Sequence, residues 1–592
     1  MLEGVRNGKS EKDVKRENTD NEIRTLSNRI RVARGEAAPD LVLKGGRVIN
    51  VFTGEILQGD IALCDGFIAG VGDYDGPQRM DVKGRYVAPG FIDGHIHIES
   101  TMLSPPELAK AMIPRGTTAI VSDPHEIANV MGKKGIEYIL KSSEGLPLDV
   151  YIMLPSCVPA THLETSGAVL TAQDLLEFKG RERVLGLAEM MNYPGVLSGM
   201  PSVLEKIAAF CDTVKDGHAP LLSGKDLSAY IGSRIRSDHE CTGLAEAREK
   251  LRSGMHVMIR EGTQARNLKT LLPIITPISA RHCSFVTDDL HPHDLMEKGH
   301  LDYLLNEAME TGLDPVLAII MVTLSTAQYF NLRDRGAVAP GYRADLVVLS
   351  SLKPCRVETV IKSGIPVYDG QSIIGDIPSA ADLKDFSPMA IRPYSPGSFE
   401  IPARGDFIRV IGLVRDQILT RNLTEKVSRV NGLAVSDTKR DIIKITVIER
   451  YGATGNMGLG FVQGFGLKEG ALASSVAHDS HNIVCIGCSD GDIYEAVKAV
   501  EEMRGGLAAV KDGQVVDRLA LPIGGLMSDR PLQEVAEGWR KMRRAAADLG
   551  CTLEEPFMVL SFMALPVIPE LKITDRGLVD VTAFDFAPLF SD

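Results

Sequence analysis

The chain has 592 residues, 44% of them hydrophobic and 24% charged, with a formal net charge of -13 at pH 7. Single cores stop growing near roughly 250 to 300 residues, so more than one structural unit is expected, and no apolar run approaches the ~20 residues that cross a bilayer. The acidic balance argues against a nucleic-acid backbone as partner, because phosphate binding needs a basic face; a neutral small molecule suits the chain better.

Residues 1–38 mix Lys, Arg, Glu, Asp and Asn with few large apolar groups, the composition of a solvated tail or short surface helix. From 39 to 88 short glycine-punctuated runs follow, such as Leu41-Val42-Leu43, Ile61-Ala62-Leu63 and Phe67 to Val71, and predict a small β unit. The same texture returns over 336–385, in Ala344 to Leu349 and Thr359 to Tyr368. The two pieces are expected to pair into one flanking β-sandwich, which would bring both ends of the intervening segment to one place.

That intervening segment, 89–335, carries the chemistry. An apolar run ends in His95-Ile96-His97, and strand periodicity puts both imidazoles on one face. A lone His-x-His is a weak metal signal, since such pairs also occur on solvated strands. Here further runs follow the same plan. Thr118 to Ser122 leads to Asp123-Pro124-His125-Glu126, Val184 to Ala188 leads to Glu189, and Val214 leads to Asp216-Gly217-His218. Ile235 leads to Ser237-Asp238-His239-Glu240, Val257 to Ile259 leads to Arg260-Glu261, and Cys283 to Thr287 leads to Asp288-Asp289. With Val150 to Leu154 these make eight candidate strands spaced for crossover helices, an α/β class fold of (β/α)8 barrel type with its site at the C-terminal strand ends.

Strand one then supplies His95 and His97, strand four Glu189, strand five His218, strand six His239 and strand eight Asp288. Each alone reads as a structural histidine or a strand-end cap, but the joint order points to metal. A tetrahedral catalytic zinc takes three protein ligands and a water, so six ligands suggest two ions about 3.5 to 4 Å apart with a bridging carboxylate, a role that suits Glu189. Such a mixed imidazole and carboxylate shell accepts zinc, manganese or iron.

A Pro- and Ser-containing segment from Pro388 to Phe399 leads into a C-terminal domain over 386–592, with strand-like Asp441 to Ile448 and helical Ile493 to Arg504 and Pro531 to Leu549, hence α+β or α/β. Gly452 to Gly466 lacks the Gly-Lys-Ser/Thr ending of a phosphate loop and reads as loops and close packing. Cys485-x-x-Cys488 has no second pair and reads as buried thiols rather than half a zinc site. Nine scattered cysteines without a secretory apolar segment predict no disulfide framework and a cytoplasmic location. His478-Asp479-Ser480-His481-Asn482 has two readings. It is a turn at a strand entrance, or a loop from this chain or a neighbouring one that covers the barrel mouth and brings His478 and His481 to a substrate.

Pro89-Gly90-Phe91-Ile92-Asp93-Gly94-His95-Ile96-His97 resembles the opening of the barrel in the amidohydrolase superfamily. The blocks at 94–100, 123–130, 187–192, 216–220, 237–240 and 478–482 resemble the adenine deaminase family, and the resemblance runs from about residue 40 to the end. Many superfamily members place a carboxylated lysine on strand four, where this chain has Glu189. The resemblance implies hydrolytic deamination of free adenine to hypoxanthine and ammonia with two manganese or iron ions per chain, zinc being less favoured, and a homo-oligomeric assembly. The residue chemistry is compatible. Metal lowers the pKa of water toward neutrality, and Asp288, beside His239, can carry the proton to the leaving amine. His125, Glu126 and Glu240 either hold the base and shuttle protons or support the ligands from behind. Alternatives are a deaminase of another 6-aminopurine, a cyclic amidase or deacetylase on the same barrel, or a relative that has lost catalysis, which should lack the ligands retained here. The Pro-Cys-x-x-Cys block of cytidine-type zinc deaminases is absent.

Overall fold

The computed structural model describes residues 11–381, 389–415 and 417–591. The expected junction at 385/386 and residues 1–10 of the expected tail lie outside the described residues. Glu11–Ala33 is a continuous α-helix. Near its end Val32 is buried, and Arg29 stacks 4.0 Å from the centroid of the Phe67 ring.

Eight short strands form a parallel ring. We label them β1 Phe91–Ile96, β2 Thr117–Ser122, β3 Asp149–Leu154, β4 Val184–Met190, β5 Val214–Gly217, β6 Ser237–Asp238, β7 His256–Arg260 and β8 Cys283–Val286. Strands β1 to β5 pair in order, as do β6 to β8. Two seams join the sets. Arg236 N–H donates to the Lys215 carbonyl at 3.2 Å, and a parallel bridge links Ile96 to Asp288. The layer of Ile92, Val121, Met153, Ala188, Met258 and Val286 packs as one apolar cluster within the ring.

The β pieces on either side of the ring join one eight-stranded sheet. Tyr86–Pro89, just before β1, lies antiparallel to Leu346–Leu352, with Val87 opposite Val348. This pairing brings the entry and exit of the ring together. Strands Ile56–Cys64 and Phe67–Gly72 are joined by Asp65-Gly66, whose φ values of 53° and 78° make the primed hairpin turn that glycine favours.

Beyond residue 400 a nine-stranded sheet is flanked by the helices Asp490–Glu502 and Leu532–Asp548. Part of the glycine-rich stretch expected to be loop is the strand Met457–Gln463. Its glycines serve close approach, since a Cβ on Gly458 would lie 1.9 Å from the Thr574 carbonyl oxygen. Cys485 lies in the buried strand Ile483–Gly487, and all nine cysteines are free. One apolar cluster runs without interruption from Ile120, Ile127 and Leu154 of the ring side to Val447, Leu472, Val484 and Phe562. The C-terminal part therefore packs on the ring rather than hanging from it. Among the described residues no helix is long and apolar enough to cross a membrane.

Candidate active site

The ring delivers its polar residues to one end. His95 is in β1 and His97 follows it, Glu189 is in β4, and His218, His239 and Asp288 come just after β5, β6 and β8. His95, His97, His239, Glu189 and Asp288 are all at most 4% exposed.

The two oxygens of Glu189 face different histidines. Oε1 lies 3.3 Å from His97 Nε2 and 3.8 Å from His95 Nε2, whereas Oε2 lies 2.7 Å from His218 Nδ1 and 3.2 Å from His239 Nε2. Asp288 Oδ1 closes the first group, 3.1 Å from His97 Nε2 and 3.6 Å from His95 Nε2. In each of the sets His95/His97/Glu189, His95/His239/Asp288 and Glu189/His218/His239 the ligand atoms lie within 4.8 Å of one another. His97 Nδ1 is 3.0 Å from the Asp123 carbonyl, a contact in which Nδ1–H donates and Nε2 is aimed at the carboxylates. His95 Nε2 is buried with no hydrogen-bond partner. Burial pushes His95 well below the usual imidazole pKa, while Asp288 and Glu189 overcome burial to hold His97 well above it. Four imidazoles and two carboxylates with an orphaned ring nitrogen fit divalent metal, which would take over the balancing role of the His97 proton.

Asp288 has φ 58°, a left-handed conformation uncommon outside glycine. Its N–H donates to the His95 carbonyl at 2.9 Å, and its carbonyl accepts from His97 N–H at 3.2 Å. Its Oδ2 is 2.7 Å from Arg260 Nη1. Burial opposes ionisation of Asp288, yet Arg260, foremost among its neighbours, keeps it well below the usual carboxylate range.

Arg260 is the residue whose importance was hidden in the sequence. It ends β7, is 7% exposed, and binds Glu240 as well as Asp289, the latter at 2.7 Å from Nη2. Its signal was the crowd of Glu240, Asp288 and Asp289 at adjacent strand ends, which demands a cation. Asp123 ends the same way, 3.2 Å from His125 Nδ1.

The expected second tier divides. Glu126, His125 and Glu240 line the cavity above the ligand set, as do His478 and Asp479. His478 Nδ1 is 3.2 Å from Glu126 Oε1, and Glu126 outweighs burial to raise His478 to about 8. His481 does not line the cavity. It is fully buried, its Nδ1 accepts from Ala477 N–H at 3.2 Å, and in the neutral ring the hydrogen sits on Nε2. Apolar side chains of the C-terminal part, Ile418, Phe562, Leu565 and Ile568, roof the cavity, and Phe562 stacks on His478 with centroids 4.7 Å apart.

Residues 86–367 match the amidohydrolase family, and residues 417–585 match the adenine deaminase C-terminal domain. Fold and site thus define an α/β hydrolase that uses divalent metal. A curated adenine deaminase of Desulfatibacillum aliphaticivorans is 49% identical over 95% of this chain and 99% of its own length. The adenine deaminase 2 of Carboxydothermus hydrogenoformans is 48% identical over 96% of this chain and 100% of its own. Among solved structures, a β-aspartyl dipeptidase of Fervidobacterium islandicum AW-1 aligns with a TM-score of 0.44 and 15% identity, covering 57% of this chain and 98% of that one. The chain belongs to the adenine deaminase family.

Proposed function

We propose that the protein hydrolyses free adenine to hypoxanthine and ammonia at a two-metal centre in a (β/α)8 barrel. The observation that carries the two-metal reading is Glu189, whose oxygens each face a separate histidine pair. His95, His97 and Asp288 Oδ1 would complete one site and His218 and His239 the other, with manganese or iron as the ions. Bound cations supply Lewis acidity and lower the pKa of water toward neutrality. The chain's residues do the rest. Water oxygen bonds to C6 of the purine as the C6–N6 bond breaks, and Asp288 takes the water proton and returns it to the departing amine. Arg260 fixes the Asp288 carboxylate in place, while His239 faces both Asp288 and Glu189. Glu126 with His478, together with His125 and Glu240, binds and orients the purine beneath a roof that excludes water. Nine free thiols support a cytoplasmic setting.

The test uses protein prepared with excess manganese. Two ions per chain and ammonia release from adenine are expected; acetate or a ring-opened product from other substrates would instead mark a deacetylase or cyclic amidase. Glu189→Gln keeps the size but loses the shared charge, so metal content and turnover should both fall. Full activity with a firm plateau at one ion would refute the two-metal centre.

A further inference from the structure

We propose that Gln264 reads the N3–N9 edge of the purine and thereby restricts the site to the free base. This rests on the adenine reading above and adds the group that recognises the far side of the ring.

A purine ring presents two apolar faces and a polar rim. In this cavity Ile418, Phe562, Leu565 and Ile568 offer apolar surface to the faces, so the rim must meet the polar side chains. Most of those are already engaged. Glu126 pairs with His478, Glu240 and Asp289 pair with Arg260, and Glu189 faces the histidines. Among the described residues Gln264 is the one neutral amide lining the cavity, and its Oε1 is shielded from solvent without a hydrogen-bond partner. A shielded carbonyl oxygen left alone is unfavourable, and a bound donor removes that cost.

Its position suits the task. Gln264 stands four residues beyond the end of β7, on a loop that lines the same cavity as the proposed ligands. The loop is tied down, with Gly262 N–H donating to the Ala265 carbonyl at 3.0 Å and Thr263 N–H to the Asp289 carbonyl at 2.8 Å. When C6 and its amine face Glu189 and Asp288, the edge turned away from the ligands carries N3, an acceptor, and N9–H, a donor. A carboxamide matches that edge with two parallel hydrogen bonds, Nε2–H to N3 and N9–H to Oε1. A purine substituted at N9 has no hydrogen there, leaves Oε1 unsatisfied and places bulk against the tethered loop. A polar group built to receive a hydrogen bond discriminates strongly against a ligand that lacks the donor.

The experiment compares the manganese-loaded full chain with Gln264→Leu and Gln264→Glu. Substrates are adenine, 3-deazaadenine and 9-methyladenine, the last read as substrate or as competitive inhibitor. Gln264→Leu should lower kcat/KM for adenine about 10- to 100-fold, chiefly through KM, with metal content unchanged. Its preference for adenine over 9-methyladenine should shrink by a similar factor. Gln264→Glu keeps an acceptor for N9–H but loses the donor to N3, so it should penalise adenine more than 3-deazaadenine. An adenine kcat/KM within twofold of wild type in Gln264→Leu would overturn the assignment, as would equal losses on adenine and 9-methyladenine. Failure of the wild type to release ammonia from adenine would instead overturn the underlying function.

Discussion

Replacing Lys572 with Met isolates one buried amine that touches the roof of the cavity but none of the proposed metal ligands. Lys572 is fully buried in the strand Leu571–Thr574, where its amine donates to the carbonyls of Ile418 and Phe562, each at 3.0 Å. Burial alone lowers its pKa from 10.5 to about 7. Between those values the unfolded chain holds a proton that the folded chain has released, so this group's contribution to stability rises with pH across the window. Below about pH 7 both states are protonated and the penalty is constant. At 1.36 kcal/mol per unit, the span from 7 to 10.5 corresponds to about 5 kcal/mol, of which about 2 kcal/mol falls between pH 7 and 9. The methionine has no such titration, and the two carbonyls it leaves unpaired cost the same at every pH. Guanidinium unfolding at pH 7, 8 and 9 measures the difference, followed by fluorescence of the chain's one tryptophan, Trp539, which is buried. Wild type should gain about 2 kcal/mol on the variant from pH 7 to 9. Parallel pH profiles for the two proteins would show that Lys572 is charged in the fold, and the reasoning would fail.

Asp288→Asn should lower turnover about 10²- to 10⁴-fold while weakening adenine binding far less, because the proton transfer belongs to the transition state; steady-state kinetics on protein of verified metal content checks it. His478→Ala removes the partner of Glu126 and the stack on Phe562, and should raise the adenine KM or lower turnover with both metals bound, as read by kinetics and elemental analysis.

The cluster proposed as the ligand set was legible because two regularities coincide in it. Strand periodicity locates the ends of short apolar runs, and a parallel ring puts those ends on one face, so His95, His97, Glu189, His218, His239 and Asp288 could be gathered from residue order alone. Even β6, only two residues long, was marked by Ile235 and the polar group after it. The N-terminal helix was harder, since a polar amphipathic surface helix and a solvated tail share a composition and differ only in the docking of a few residues such as Val32. The roof was invisible for a related reason. Phe562, Leu565 and Ile568 have the composition of any core segment, and only their packing across the ring turns them toward a cavity. His481 shows the converse. Its residue type suggested a place at the cavity, but the ring is buried outside the lining, where Nδ1 accepts from Ala477 N–H and its ligand atoms lie within 4.8 Å of those of Glu126 and His478.

The same contacts that close the ring also set the site. Asp288 N–H and C=O bond to the backbone of His95 and His97, which is the seam between the first and last strands, and those three side chains converge on one point. A left-handed aspartate in a flexible loop would relax; here two backbone hydrogen bonds and the ion pair to Arg260 over-determine it. The position of the proposed proton carrier is therefore a property of this strand seam, held beside His95 and His97 by backbone hydrogen bonds. Closure also explains the burial of Arg260. With Asp288 and Asp289 fixed at the seam and Glu240 at the end of β6, a cation rising from β7 pairs with all three neighbouring carboxylates where they are buried.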